Sequence, residues 1–196
     1  MSYQQVYERC KKLPISIKRT IIKDIVSDIS GLHIKWCRAG MNEKNLRGLY
    51  LNPEDVKSTK FRNSNKEGGP VIVTERSLNR CWERLVYVKE LMHVFDTDDQ
   101  LTKTGENFED ITSTFGGDVY TDPEDRSPVV NAEFIALPMA LGLLCPKIHL
   151  DEFRKERIAG TIPDNDIATA FRIPEQYVPA IMNPSFDATI LSILKQ

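Results

Sequence analysis

Arg84-Leu-Val-Tyr-Val-Lys-Glu-Leu-Met-His-Val-Phe95 is the stretch that decides the fold. The apolar spacing predicts one helix that carries Lys89, Glu90 and His93 inside an otherwise apolar segment. Trp82, Val86, Lys89 and His93 recur at helical spacing and share one side. Leu85, Val88, Met92 and Phe95 form an adjoining apolar stripe. A helix apolar on two stripes is expected to be buried on both. A lysine is rarely buried without a partner, so Lys89 needs an explanation.

The register offers one. Two histidines one helical turn apart can grip a zinc ion, and a glutamate after the first can activate its bound water. Here that pattern reads Lys89-Glu90-Leu91-Met92-His93, with lysine where the first histidine would stand. On its own the pentapeptide reads first as an ordinary buried helix with a polar edge, and the surrounding segments are what bring the metal pattern forward.

Composition sets the bounds. A chain of 196 residues can hold one domain with a substantial core. Its 41% hydrophobic and 28% charged residues are those of a soluble globular protein. A net charge of −2 gives no bulk attraction to nucleic acid or membrane. No apolar run approaches a membrane span, and the N-terminus lacks an apolar signal core, so a cytoplasmic protein is expected. Cys10, Cys37, Cys81 and Cys145 are far apart and read as free thiols. His33, His93 and His149 are the three histidines, which limits any metal site. His33 and His149 are both read as surface residues.

Around the central helix the chain alternates. Residues 15–29 repeat at helical spacing and stop at Gly31. Residues 32–38 alternate as a strand with Leu32, Ile34 and Trp36 on one face. Residues 47–51 read as a second short strand and 70–75 as a third. Residues 52–69 between them look like a surface excursion. Ser77 is the expected cap of the central helix. Asp96-Thr-Asp-Asp99 reads as a solvated acidic turn, although acids at a helix C-terminus oppose the dipole and hint at a cation or partner. Residues 105–128 form a polar connection or short lid.

Residues 129–145 are a second apolar helix, with Glu133 its single charge and Pro138 inside. Glu133 is either near the helix start, favoured by the dipole, or buried with a partner. Asp164 is the expected cap of a helix carrying Ile167, Ala168 and Phe171. Pro174 opens the next helix, with Tyr177, Val178, Ile181 and Met182. This pair resembles a helix-turn-helix, but residues 174–182 hold no Lys or Arg, so DNA recognition is not expected. A second Glu-x-x-His pair, which a carboxylate-bridged iron centre needs, is absent from the sequence.

Taken together, these segments resemble the ImmA/IrrE zinc metallopeptidase family over roughly residues 15 to 182. The resemblance rests on Arg47-Gly-Leu-Tyr50, Gly69-Pro-Val-Ile-Val73, the Lys89–His93 pentapeptide, the helix closing at Leu143-Leu-Cys-Pro146, and Asp166-Ile-Ala-Thr-Ala-Phe-Arg-Ile-Pro-Glu175. It implies an α+β, zincin-like metallopeptidase fold. A small, mostly three-stranded sheet would pack on the central motif helix and further helices, with a C-terminal helical hairpin. It implies a metallopeptidase-like domain over 1–150 and a helical extension over 151–196 on the same core. It further implies that Glu90 matches the water-activating glutamate, His93 the second zinc ligand and Glu133 the third. Counted back from Pro146, Glu133 stands about two places early, and Ile135 occupies the family position.

Lys89 departs from the family where the metal chemistry is most exacting. Catalytic zinc keeps three protein ligands and a water, and an ammonium has no lone pair to offer. Without the metal, water keeps its ordinary pKa and Glu90 has little to activate. The expectation is therefore a catalytically impaired homologue with no cofactor. It would act by binding a protein, a transcription regulator being the family's kind of target, in phage, mobile-element or stress regulation. Lys89 would replace the ion with a salt bridge to Glu90 or Glu133. The alternative is an active zinc endopeptidase that recruits another ligand, such as Asp96 or Asp99. A third reading is an unrelated protein whose likeness is accidental.

Overall fold

The computed structural model describes residues 2–41, 46–61, 63–101 and 126–195. In chain order these form α1 (Tyr3–Cys10), α2 (Arg19–Ser30), β1 (Lys35–Ala39), β2 (Gly48–Leu51), α3 (Pro53–Ser58), β3 (Val71–Glu75) and α4 (Arg80–Met92). A 3-10 turn over His93–Phe95 follows α4. Then come α5 (Pro128–Leu144), α6 (Lys147–Ile158), α7 (Asp164–Phe171), a 3-10 turn over Glu175–Tyr177, α8 (Val178–Met182) and α9 (Pro184–Ile193). The polar connection expected over residues 105–128 lies almost wholly outside the described residues.

The fold is α+β. Its sheet is mixed and three-stranded in the order β1-β3-β2. β1 runs parallel to β3, with Lys35 opposite Val71 and Ala39 opposite Glu75. β2 runs antiparallel, with Gly48 opposite Thr74 and Leu51 opposite Val71. All five residues of the central strand are buried, the apolar Val71-Ile72-Val73 together with the polar Thr74 and Glu75. The period of two divides them between the sheet's faces. Ile72 joins the main core with Leu85, Leu91, Leu143 and Phe171, whereas Val71 and Val73 pack with Leu51 and Val56 behind the sheet.

That back face corrects one expectation. Residues 52–69 are not simply a surface excursion. Asn52 accepts hydrogen bonds at 2.9 Å from the Glu54 and Asp55 amides and so starts α3, which buries Val56. Asn65 is also buried, and its amide donates to the His33 carbonyl at 2.6 Å, tying the loop to the chain leading into β1.

α4 crosses the sheet and touches α2, β2, β3 and α5. Its cap is Asn79, which accepts from the Cys81 and Trp82 amides at 3.0 Å. Ser77 turns back to Glu75 instead. Asn79 directly precedes the first helical residue, Arg80, whereas Ser77 lies two residues further back. Glu83, in the first turn of α4, is buried and bonded by Arg19 at 2.9 Å and by Arg38 Nη2 at 2.8 Å. Burial alone would raise its pKa, but the two guanidinium groups hold it below the usual carboxylate range.

The C-terminal helices share the main core. Ile167, Phe171, Ile181, Phe186 and Ile190 all belong to it. Arg84, 8% exposed, reaches from α4 to the carbonyls of Phe171 at 2.6 Å, Arg172 at 3.1 Å and Ile17 at 2.5 Å. Burial pushes its pKa down to about 10. It closes the C-terminal end of α7, where carbonyls lack helical partners. Asp164 does not cap α7: Pro163 holds the cap position, and Asp164 pairs with Arg157 at 2.6 Å. His149 is half-buried rather than a surface residue, and its Nε2 lies 3.1 Å from the Leu13 carbonyl oxygen. Pro174 stands just before a 3-10 turn, so the helix expected there is delayed to Val178.

Candidate functional site

The polar residues singled out in α4 meet Glu133 of α5 where the two helices pack. α5 starts at Pro128, capped by Ser127, and runs through Pro138 without ending. Ala132, Ala136 and Ala140 are buried along it, and small side chains let helices approach closely. Glu133 lies beyond the first turn, so it belongs to the buried-with-a-partner alternative. Its partner is Lys89, whose ammonium pairs directly with Glu133 Oε2. The same ammonium lies 3.2 Å from Glu90 Oε1. The Lys89 side chain keeps only 20% exposure and Glu133 only 21%, so the pair is largely withdrawn from water.

The charges set each other. Burial alone would lower the Lys89 pKa, but the Glu90 and Glu133 carboxylates outweigh it and hold the ammonium charged. Burial alone would raise Glu133, but Lys89 and then His93 keep it below the ordinary range.

His93 ends α4 rather than lying inside it, because the last turn tightens to 3-10 geometry. Its ring is 93% withdrawn from solvent. Nδ1 lies 2.6 Å from Asp96 Oδ2, so Asp96 is part of the site and not a solvated turn residue. The bulk of the turn is as expected: Asp99 accepts from the Thr97 hydroxyl at 2.6 Å on the surface. The other ring nitrogen, Nε2, points at two carboxylates, 3.4 Å from Glu133 Oε1 and 3.9 Å from Glu90 Oε2. At those separations it is buried without a hydrogen-bond partner among the described residues. Burial alone would lower the His93 pKa, but the hydrogen bond to Asp96 and the nearby Glu133 and Glu90 carboxylates raise it above the ordinary value.

Two further residues complete the walls. The Tyr50 ring stacks obliquely 6.2 Å from the imidazole, and burial pushes its phenol up to about 12. Gly48 lies under α4: a Cβ there would fall 2.8 Å from both Cγ and Oε1 of Glu90 and collide with Val86. A side-chain-free position on β2 is therefore what allows Glu90 to lie against the sheet. Asp96, Tyr50 and Gly48 were not read as site residues from spacing. Tyr50 and Gly48 lie on another element, and Asp96 was weighed only as a spare ligand.

The donor set does not suit the zinc that the sequence resemblance implies. A positively charged ammonium with no lone pair sits among Glu90, Glu133 and His93, where a cation of the metal type would have to lie. Asp96 engages the outer ring nitrogen and stands behind His93. Among the described residues no group of three or more His, Cys, Asp or Glu side chains is arranged to hold a metal ion. All four cysteines are free, with Cys10 and Cys145 buried. No single helix among the described residues is long and apolar enough to cross a membrane. Compared with known proteins, the chain matches no family model, no curated protein and no solved structure.

Proposed function

We propose that this chain is a catalytically impaired relative of the ImmA/IrrE metallopeptidases, with a zincin-like arrangement of α4, α5 and the sheet, acting in the cytoplasm by binding a protein. The partner class is a transcription regulator of the kind controlled in phage, mobile-element or stress responses. One observation carries the reading: the Lys89 ammonium pairs with Glu133 and Glu90 where a metal peptidase needs its ion. With the ammonium in that place, Glu90 and His93 would lack the ion-polarised water that a metallopeptidase activates. Asp96 favours the same reading over a recruited-ligand peptidase, because it is committed to Nδ1 of His93.

The test is elemental analysis for zinc, manganese and iron after purification without chelator, followed by incubation of candidate regulators with the protein. The expected result is a metal-free protein that binds a regulator and leaves it intact. Stoichiometric metal, or cleavage lost on Glu90→Ala substitution, overturns the proposal.

A further inference from the structure

We propose that β1 is a self-association edge. Two copies of this chain pair their β1 strands antiparallel about a two-fold axis at Cys37, which joins two three-stranded sheets into one. This goes beyond the reading just given and does not depend on it. β1 stands at the end of the sheet order β1-β3-β2. Three bonds mark its inner side. The Lys35 amide donates to the Pro70 carbonyl at 3.1 Å, the Ala39 carbonyl accepts from the Arg76 amide at 3.0 Å, and the His33 carbonyl accepts from the Asn65 side chain. Backbone groups of a strand turn alternately to its two sides. Residues 33, 35, 37 and 39 therefore face β3, and the amides and carbonyls of Trp36 and Arg38 face outward. Among the described residues nothing bonds to those four groups. Such a row is a template for another strand. α4 leaves this edge clear, because it packs chiefly on β2 and β3.

Charge selects a second copy as the occupant. β1 carries two cations, Lys35 and Arg38, and no acid. Pairing centred on Cys37 sets Trp36 opposite the second copy's Arg38, Lys35 opposite Ala39, and Cys37 opposite Cys37. Neither cation then faces a like charge, and an aromatic ring faces a guanidinium at each end. Trp36 already takes such groups within its own chain, with Arg19 4.0 Å and Arg38 5.2 Å from its ring centroid. Glu83 pairs with Arg38, so the two Arg38 groups do not meet as bare cations. Centring the pair on Arg38 instead would set guanidinium against guanidinium, which is unfavourable. At the Cys37 centre the facing residues form a non-hydrogen-bonded pair, whose Cα atoms lie about 4.5 Å apart, within disulfide range. Cys37 is partly exposed, whereas Cys10 and Cys145 are buried.

The experiment measures the mass of the full-length protein in reducing buffer by sedimentation and light scattering, at up to roughly 100 μM chain. Wild type should approach twice the 22.4 kDa of one chain. Arg38→Pro removes an outward amide without touching the β3 ladder and should be monomeric. Arg38→Ala keeps that amide and should still dimerise, more weakly. Cys37→Asp sets two carboxylates face to face and should raise the dimer Kd about tenfold or more; it decides the matter if Arg38→Pro does not fold. Diamide, which oxidises two thiols to a disulfide and is itself reduced to the hydrazine, should cross-link wild type and Cys81→Ser into dimers but not Cys37→Ser. A monomeric wild type overturns the proposal. So does a dimer that persists in Cys37→Asp, or a wild-type dimer that diamide does not cross-link through Cys37.

Discussion

His93 Nε2 stands 3.4 Å from Glu133 Oε1 across the gap between α4 and α5, while its Nδ1 is held at 2.6 Å by Asp96. The imidazole is thus set between carboxylates from two directions, and Lys89 sits on the other oxygen of Glu133. Protonated, the ring would serve as a second cation beside Lys89. This makes stability depend on pH with opposite signs for the two groups.

For His93 the folded pKa is raised, so the proton stabilises the native state. That contribution is fully present below the unfolded value of about 6.5 and is lost as pH rises through the folded value. For Glu133 the folded pKa is depressed, so its contribution is present above about 4.3 and lost as pH falls through the folded value. Urea unfolding across pH should give a maximum between about 4.5 and 6.5. In His93→Gln the alkaline decline should flatten; an unchanged alkaline limb would assign it elsewhere.

Lys89→Met at neutral pH should cost ~3–5 kcal/mol, because it leaves the Glu90 and Glu133 carboxylates without their cation in a site nearly closed to water. Adding Glu133→Gln should recover a large part of that loss. A double-mutant cycle by chemical denaturation reads the coupling, and an additive result would show that the pair does not interact.

Gly48→Ala should destabilise by about 1–3 kcal/mol, since the new methyl group meets Val86 and Glu90 rather than solvent. Thermal unfolding of Gly48→Ala against Gly40→Ala makes the comparison, because a Cβ at Gly40 meets nothing within 4 Å.

Arg84→Met should loosen the C-terminal helices from the core. It removes the donor from three carbonyls, of which those of Phe171 and Ile17 are bonded to it at 2.6 and 2.5 Å. The cost should be ~3 kcal/mol or more, given that unsatisfied buried acceptors are left behind. Hydrogen exchange should accelerate in α7 more than in α3, whose contacts lie behind the sheet; equal acceleration would mean a purely global effect.

Much of this arrangement was legible in residue order. The apolar recurrence around Leu85, Val88 and Met92 specifies a buried α4, and the run Val71-Ile-Val73 specifies a central strand, because periodicity is a local property of the chain. A lysine in an apolar helix already demanded an anionic partner. Which anion answered was settled only in three dimensions. Glu133 lies 44 positions away and arrives through the packing of α5 on α4, so no spacing rule in one helix could choose between it and Glu90 alone. Asp96 could not be told from a solvated acid until the last turn of α4 tightened and aimed it at Nδ1. Asn79 displaced Ser77 as cap, and Arg84 found carbonyls of both chain ends, for the same reason. Side-chain type and period are written in the sequence, whereas the identity of a partner depends on distances that exist only after the helices have packed.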